Sequence, residues 1–152
     1  MSHEDFVPPD FAVPARLETE LFALEPLGPE HNERDYVAWS TSIDHIRSSP
    51  GYGPDSSWPH EMSLAENLAD LERHAHDFAE RSGFTYSVVD PEGDVVGCVY
   101  LYPARDELHD VYVHSWVREA RAELDLPLRE AVAGWLVDSW PFERPLYEPL
   151  LG

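Results

Sequence analysis

His114 stands in the middle of an apolar run, Val111-Tyr112-Val113-His114-Ser115-Trp116-Val117, and Asp110 immediately precedes it. Imidazole changes its charge near neutral pH, so a neutral His114 can take a proton from an amine. The competing role is a sheet-surface histidine packed beneath a helix. Arg118 and Arg121 follow in Arg118-Glu119-Ala120-Arg121-Ala122-Glu123-Leu124-Asp125. Guanidinium groups suit phosphate, but this segment has no glycine and carries a net charge of −1. Asp125 reads as a helix N-cap, a position whose carboxylate would occupy amides that a phosphate needs.

Other reactive side chains are less suggestive. His31, His45 and His60 are scattered, and His74 and His76 lie two apart on a helix, which turns them to different sides. No metal site is expected from that spacing. Cys98, the only cysteine, lies in the most apolar run, so an internal disulfide is excluded. It reads as a small core residue of a reducing, cytoplasmic compartment. Tyr52, Trp58 and Trp39 are candidates either to line a pocket or to pack in the core.

The elements that must position these groups can be read from periodicity. Residues 84–89 alternate as a strand does, and Pro91-Glu92-Gly93-Asp94 forms a turn. Residues 95–102 make a second strand, apolar on both faces, which requires cover on both sides of the sheet. Residues 111–117 make a third. Upstream, residues 17–27 read as a first strand, and a helix is expected from about Pro29 to Ile46 with Tyr36, Trp39, Ile43 and Ile46 buried. Ser48 to Pro59 is a loop rich in glycine and proline. A second helix is marked by the capping box of Ser63 and Glu66, a stop at Gly83, and the stripe Leu64, Leu68, Leu71, Ala75 and Phe78. A third follows through Leu128, Val132, Trp135 and Leu136 to Pro141, and Phe142 to Leu151 completes a last strand. That strand should run parallel to the one at 111 through a right-handed crossover.

Composition narrows the partners. At 152 residues the chain suits a single domain, residues 17–152, preceded by an extended arm, residues 1–16, whose apolar residues ask for cover. The net charge of −20 opposes nucleic acid and anionic membrane. No run approaches the length of a membrane span, and no secretory signal is visible. Pro145 to Leu151 ends the sheet with an open edge, and the arm offers further apolar surface, so a homodimer is expected.

This order of strand, helices, three strands, helix and strand resembles the GNAT superfamily of acyl-CoA-dependent N-acyltransferases over roughly residues 17–150. The residues that carry the resemblance are Phe22 to Leu27 feeding a helix, the hairpin from Tyr86 to Val99, and the strand, loop and helix from Val111 to Trp140. The resemblance implies an α/β (α+β) fold, a mixed and mostly antiparallel sheet of about five strands flanked by three helices. It implies an N-acetyltransferase acting from acetyl-CoA on a small-molecule amine. His114 and Asp110 would be catalytic, and Val113, Trp116, Val117, Arg118 and Arg121 would hold the cofactor. In that family the loop after the fourth strand carries Arg/Gln-x-x-Gly-x-Gly/Ala, whose glycines let backbone N–H groups reach the pyrophosphate. Here the corresponding residues, Arg118 to Asp125, include no glycine, and no family general acid maps onto Tyr147. The alternative is a non-catalytic GNAT-like domain that has lost CoA and serves as a ligand-binding or assembly module.

Overall fold

The computed structural model describes residues 5–53 and 56–148. Its centre is one six-stranded sheet in the order β1 (Leu17–Glu18), β2 (Ala23–Pro26), β3 (Phe84–Val89), β4 (Val95–Tyr102), β5 (Val111–Val117) and β6 (Pro145–Leu146). Neighbours are antiparallel except β5 and β6, which run parallel. The three central strands and the parallel return therefore follow the expectation.

The sixth strand arises because residues 17–27 fold as a hairpin rather than as one strand. Thr19 Oγ1 accepts the N–H groups of Leu21 and Phe22, both at 3.2 Å, and Thr19 N–H donates to the Phe22 carbonyl at 2.9 Å. A hydroxyl that substitutes for a backbone acceptor closes a turn that apolar alternation does not reveal.

The first helical stretch is divided in the same way. A 3₁₀ turn, Pro29–His31, leads into α1 (Asn32–Ser40), and α2 (Ile43–Arg47) follows a break. Thr41 bonds back to the Val37 carbonyl at 2.7 Å, and Ser42 Oγ accepts the distant Glu119 N–H at 2.9 Å. The first is a back-bond of the kind that bends a helix, and the second reaches a partner outside the helix. Trp39 and Ile46 are buried as expected.

Helix α3 (Leu64–Ala79) opens on the expected capping box, with Glu66 N–H donating to Ser63 Oγ at 3.1 Å and Ser63 N–H to Glu66 Oε1 at 2.8 Å. Its end departs from expectation. Arg81, not Gly83, takes the left-handed conformation at φ 61. That costs a side-chain residue free energy, and two bonds from its guanidinium to the Pro8 and Phe11 carbonyls accompany it. Gly83 is instead required by packing, since a Cβ there would fall into the Tyr102 ring. Of the predicted stripe, Leu71 is buried, Leu68 and Phe78 are half-buried, and Leu64 is exposed.

Helix α4 (Asp125–Ser139) follows directly on a 3₁₀ turn, Glu119–Leu124. Asp125 is its first residue and not its cap, which corrects the sequence reading. Its carboxylate accepts from the buried Arg129 Nε at 2.9 Å, one helical turn away. The continuous entry into the helix leaves no extended residue whose side chain could fold back on the amides.

Two cores cover the sheet. Leu128, Val132, Trp135 and Leu136 of α4 pack on Val111, Val113 and Val117. Trp39, Ile46 and Leu71 pack with Cys98 and Trp116 on the other face. The arm belongs to the first core. Val7 is buried, Phe6 stacks on Phe84 at 5.7 Å, and Phe11 meets Trp140 at 5.5 Å. Its apolar residues thus cover their own chain, which leaves the β6 edge as the remaining reason to expect a dimer. Among the described residues β6 spans Pro145 and Leu146, and Pro149, Leu150 and Leu151 lie outside the described residues. Among the described residues no helix is long and apolar enough to cross a membrane.

Candidate functional site

Alternation along β4 and β5 turns Tyr100 and Tyr102 to the same face as Tyr112, His114 and Trp116. The register sets Tyr100 opposite His114 and Tyr102 opposite Tyr112. On that face opens a cleft of ≈ 1330 Å³, bounded by α3 and by residues 51–53 and 56–60. Arg47 holds the loop in place by donating to the Gly53, Ser56 and Pro59 carbonyls at 3.1, 3.2 and 2.7 Å.

The wall of the cleft is a row of stacked rings. His114 lies between Tyr100 and Tyr112, with centroids 4.7 and 5.0 Å apart and interplanar angles of 15° and 23°. His114 Nδ1 meets the buried Tyr52 hydroxyl at 2.7 Å. His74 of α3 lies against Tyr100 at 5.5 Å. Its Nδ1 meets the Tyr102 hydroxyl at 2.8 Å, and that hydroxyl donates to Asp77 Oδ2 at 2.8 Å. Burial lowers both imidazoles to about 4, because a desolvated ring resists a proton, so both are neutral at pH 7. Burial also raises Asp35 to about 6, against an opposing bond from Asn67 Nδ2 at 3.1 Å. Four carboxylates (Asp35, Asp70, Asp106 and Glu148) line the cleft against two guanidiniums, Arg73 and Arg105.

The loop after β5 is built differently from a phosphate cradle. Glu119 N–H is taken by Ser42, Arg121 N–H donates to the Arg118 carbonyl at 3.0 Å, and Asp125 N–H donates to the Ala122 carbonyl. Arg121 is paired with Asp90 Oδ2 at 2.8 Å and with Glu123 Oε2 at 3.0 Å. Arg118 N–H donates to Val96 at 2.8 Å, its Nη1 reaches the Val95 carbonyl at 3.5 Å, and its Nε is buried without a partner. The gap beyond the short β5–β6 pairing is also filled. Tyr147 and Ser115 share a hydrogen bond of 2.7 Å, and Arg129 donates to the Glu148 carbonyl at 2.8 Å. A pyrophosphate at this loop would meet two carboxylates and few free donors. The residues as folded do not fit a cradle for the CoA pyrophosphate.

Of the residues singled out in the sequence, His114 lines the cleft and Asp110 does not reach it. Asp110 accepts the Glu143 and Arg144 amides at 2.7 and 3.1 Å and so fixes the approach to β6. Val113 and Val117 face the α4 core, and Trp116 is buried with its Nε1 donating to Tyr100 at 3.1 Å. Arg118 and Arg121 stand together in the loop but serve the chain itself. Tyr147 is wholly buried, which pushes its hydroxyl up to about 12. His74, Asp77, Tyr100, Tyr102 and Tyr112 were not singled out for the site. The signal that could have found them is the two-residue spacing of Tyr100 with Tyr102 and of Tyr112 with His114. Among the described residues no group of three or more metal-ligating side chains occurs.

No protein-family model matches the chain, and no curated protein matches it. Solved structures do. Ribosomal-protein-S5-alanine acetyltransferase from Vibrio fischeri aligns with a TM-score of 0.67 at 14% identity, over 88% of this chain and 73% of that one. The microcin C7 self-immunity acetyltransferase MccE, solved with acetyl-CoA and AMP, aligns with a TM-score of 0.61 at 10% identity, over 81% and 67%. The GNAT domain of S. lividans PAT aligns with a TM-score of 0.56 at 16% identity, over 85% and 77%. At these identities the likeness shows the fold: the chain has the fold of the GNAT acetyltransferases.

Proposed function

We propose that this chain, folded as the GNAT acetyltransferases are, binds a small molecule carrying an amine in the aromatic cleft and does not hold acetyl-CoA through the 118–125 loop. The observation that carries the reading is a contrast. The cleft is open and its carboxylates outnumber its guanidiniums, whereas the Glu119 amide and the Arg121 guanidinium of the loop are engaged within the chain.

A second reading, N-acetyl transfer from acetyl-CoA to that amine, is favoured by His114, a neutral imidazole on the strand that in this fold faces the acyl group. Arg118 and Arg121 would then leave their present partners for phosphate, and replacing both with alanine would weaken binding by about 2–4 kcal/mol. Calorimetric titration with acetyl-CoA, alone and with a panel of small primary amines, separates the readings. Heat from an amine and none from acetyl-CoA supports the first. Acetyl-CoA binding that is lost in the double arginine variant, with thiol release on adding amine, overturns it in favour of the second. We further propose a cytoplasmic location, from the buried free thiol of Cys98, and a two-fold dimer formed at the β6 edge.

A further inference from the structure

His74 and His114 share a cleft, and each turns Nδ1 into the fold. Neither Nε2 has a hydrogen-bond partner among the described residues, and neither is among the buried atoms left without one. Both rings line the cleft. What differs is the group behind each ring.

Behind His74 the proton count has one solution. The Asp77 carboxylate only accepts, so it takes the single proton of the Tyr102 hydroxyl at 2.8 Å. The Tyr102 oxygen then has no proton left for His74. A separation of 2.8 Å between that oxygen and Nδ1 needs a proton between them, and it must come from Nδ1–H. Thr85 Oγ1, 3.2 Å from the same nitrogen, stands where it shares that proton. His74 Nε2 is consequently a bare lone pair.

Behind His114 the count runs the other way. Tyr52 is buried, and its only partner among the described residues is His114 Nδ1 at 2.7 Å. A buried phenol without an acceptor strands its proton at a cost, so Tyr52 donates and Nδ1 accepts. His114 Nε2 therefore carries the hydrogen.

We infer that the cleft is a two-point site in which His74 Nε2 accepts a hydrogen bond and His114 Nε2–H donates one, matched to a ligand bearing an N–H group and a carbonyl oxygen. Tyr102 and Asp77 are positioning residues for His74, and Tyr52 is the positioning residue for His114. This assignment makes His114 the donor of the pair, so the acceptor for an amine proton is His74. The inference rests on the reading of this cleft as a ligand site. Its first half, the tautomers, concerns the free protein and is testable without any ligand.

The test is a long-range ¹H–¹⁵N correlation spectrum of the imidazoles in the intact protein at pH 7, with signals assigned through His74→Gln and His114→Gln. The expected result is opposite tautomers, Nδ1–H at His74 and Nε2–H at His114. Tyr102→Phe should release His74 alone, and Tyr52→Phe should release His114 alone. Identical tautomers in the wild type, or no change in either variant, would overturn the assignment. Propionamide, butan-1-amine and acetone then probe the ligand half. Propionamide should shift both imidazoles, butan-1-amine only His74, and acetone only His114. Each histidine variant should bind propionamide about tenfold more weakly, as loss of one hydrogen bond requires. Butan-1-amine binding with no response to propionamide would refute the two-point site and leave the amine reading standing. Silence from all three probes would refute both.

Discussion

Asp90 is the test of whether the loop after β5 is a latch. Its Oδ1 accepts the Glu92 and Asp94 N–H groups at 3.1 and 3.0 Å, closing the β3–β4 turn, and its Oδ2 receives Arg121 Nη1 at 2.8 Å. Each bond to a charged acceptor contributes roughly 1.5–3 kcal/mol. The freed amides of an exposed turn recover part of that from water, so Asp90→Ala should cost about 3–4 kcal/mol in total. Arg121→Ala removes two partly exposed ion pairs, to Asp90 and to Glu123, and should cost only about 1 kcal/mol in total. For a chain of this length 1 kcal/mol moves Tm by roughly 2–4 °C. The first variant should therefore melt about 10 °C low and the second about 3 °C low. Urea denaturation at pH 7 with an unchanged m-value gives the same quantities directly. A loss below about 1 kcal/mol in Asp90→Ala would refute the latch. An Arg121→Ala loss as large as that of Asp90→Ala would place the energy in the ion pair and not in the turn, against this apportionment.

Acidification should destabilise the protein. His74 and His114 sit at about 4 when folded against 6.5 unfolded, so between those values the unfolded chain binds more protons and stability falls as pH falls. Each contributes up to about 3 kcal/mol at about 1.4 kcal/mol per pKa unit. Asp35, raised to about 6, acts in the opposite sense and offsets about 3 kcal/mol, leaving a net loss of about 3 kcal/mol from pH 7 to 4; stability that rises on acidification would contradict this. Gly97→Ala would drive a Cβ into the Trp116 carbonyl and to 3.3 Å from Val117 Cα, where two strand backbones meet. Its cost should reach about 2–3 kcal/mol by thermal melting, and a neutral result would show that the strands can separate. A dimer of chains each carrying a charge of −20 should tighten as salt rises, so light scattering that reports monomer at both low and high salt would exclude it.

Regular elements with one dominant signal were legible. The strands at 84–89, 95–102 and 111–117 follow from their apolar pattern, and the Ser63–Glu66 cap set the start of α3. The misread positions share a cause. Thr19, Ser42 and Arg81 each redirect the chain through a side-chain bond, and two of those bonds reach partners more than seventy residues away. Asp125 stands next to the helix amides in sequence, but the buried guanidinium of Arg129 holds its carboxylate instead.

The site divides along the same line. That His114 lies on a strand flanked by tyrosines, and that the following loop lacks glycine, are properties of the sequence alone. They determine that the backbone there cannot approach a pyrophosphate as glycine would allow. The sequence does not determine which proton each imidazole carries. That depends on Tyr52 reaching His114 across 62 positions and on Tyr102 linking His74 to Asp77 across 28 and 25. Local propensity acts within a few residues, whereas a hydrogen-bond direction is fixed only when every buried donor and acceptor around it has found its partner. Folding brings those partners together, and so the chemistry of the cleft was decided by the tertiary structure.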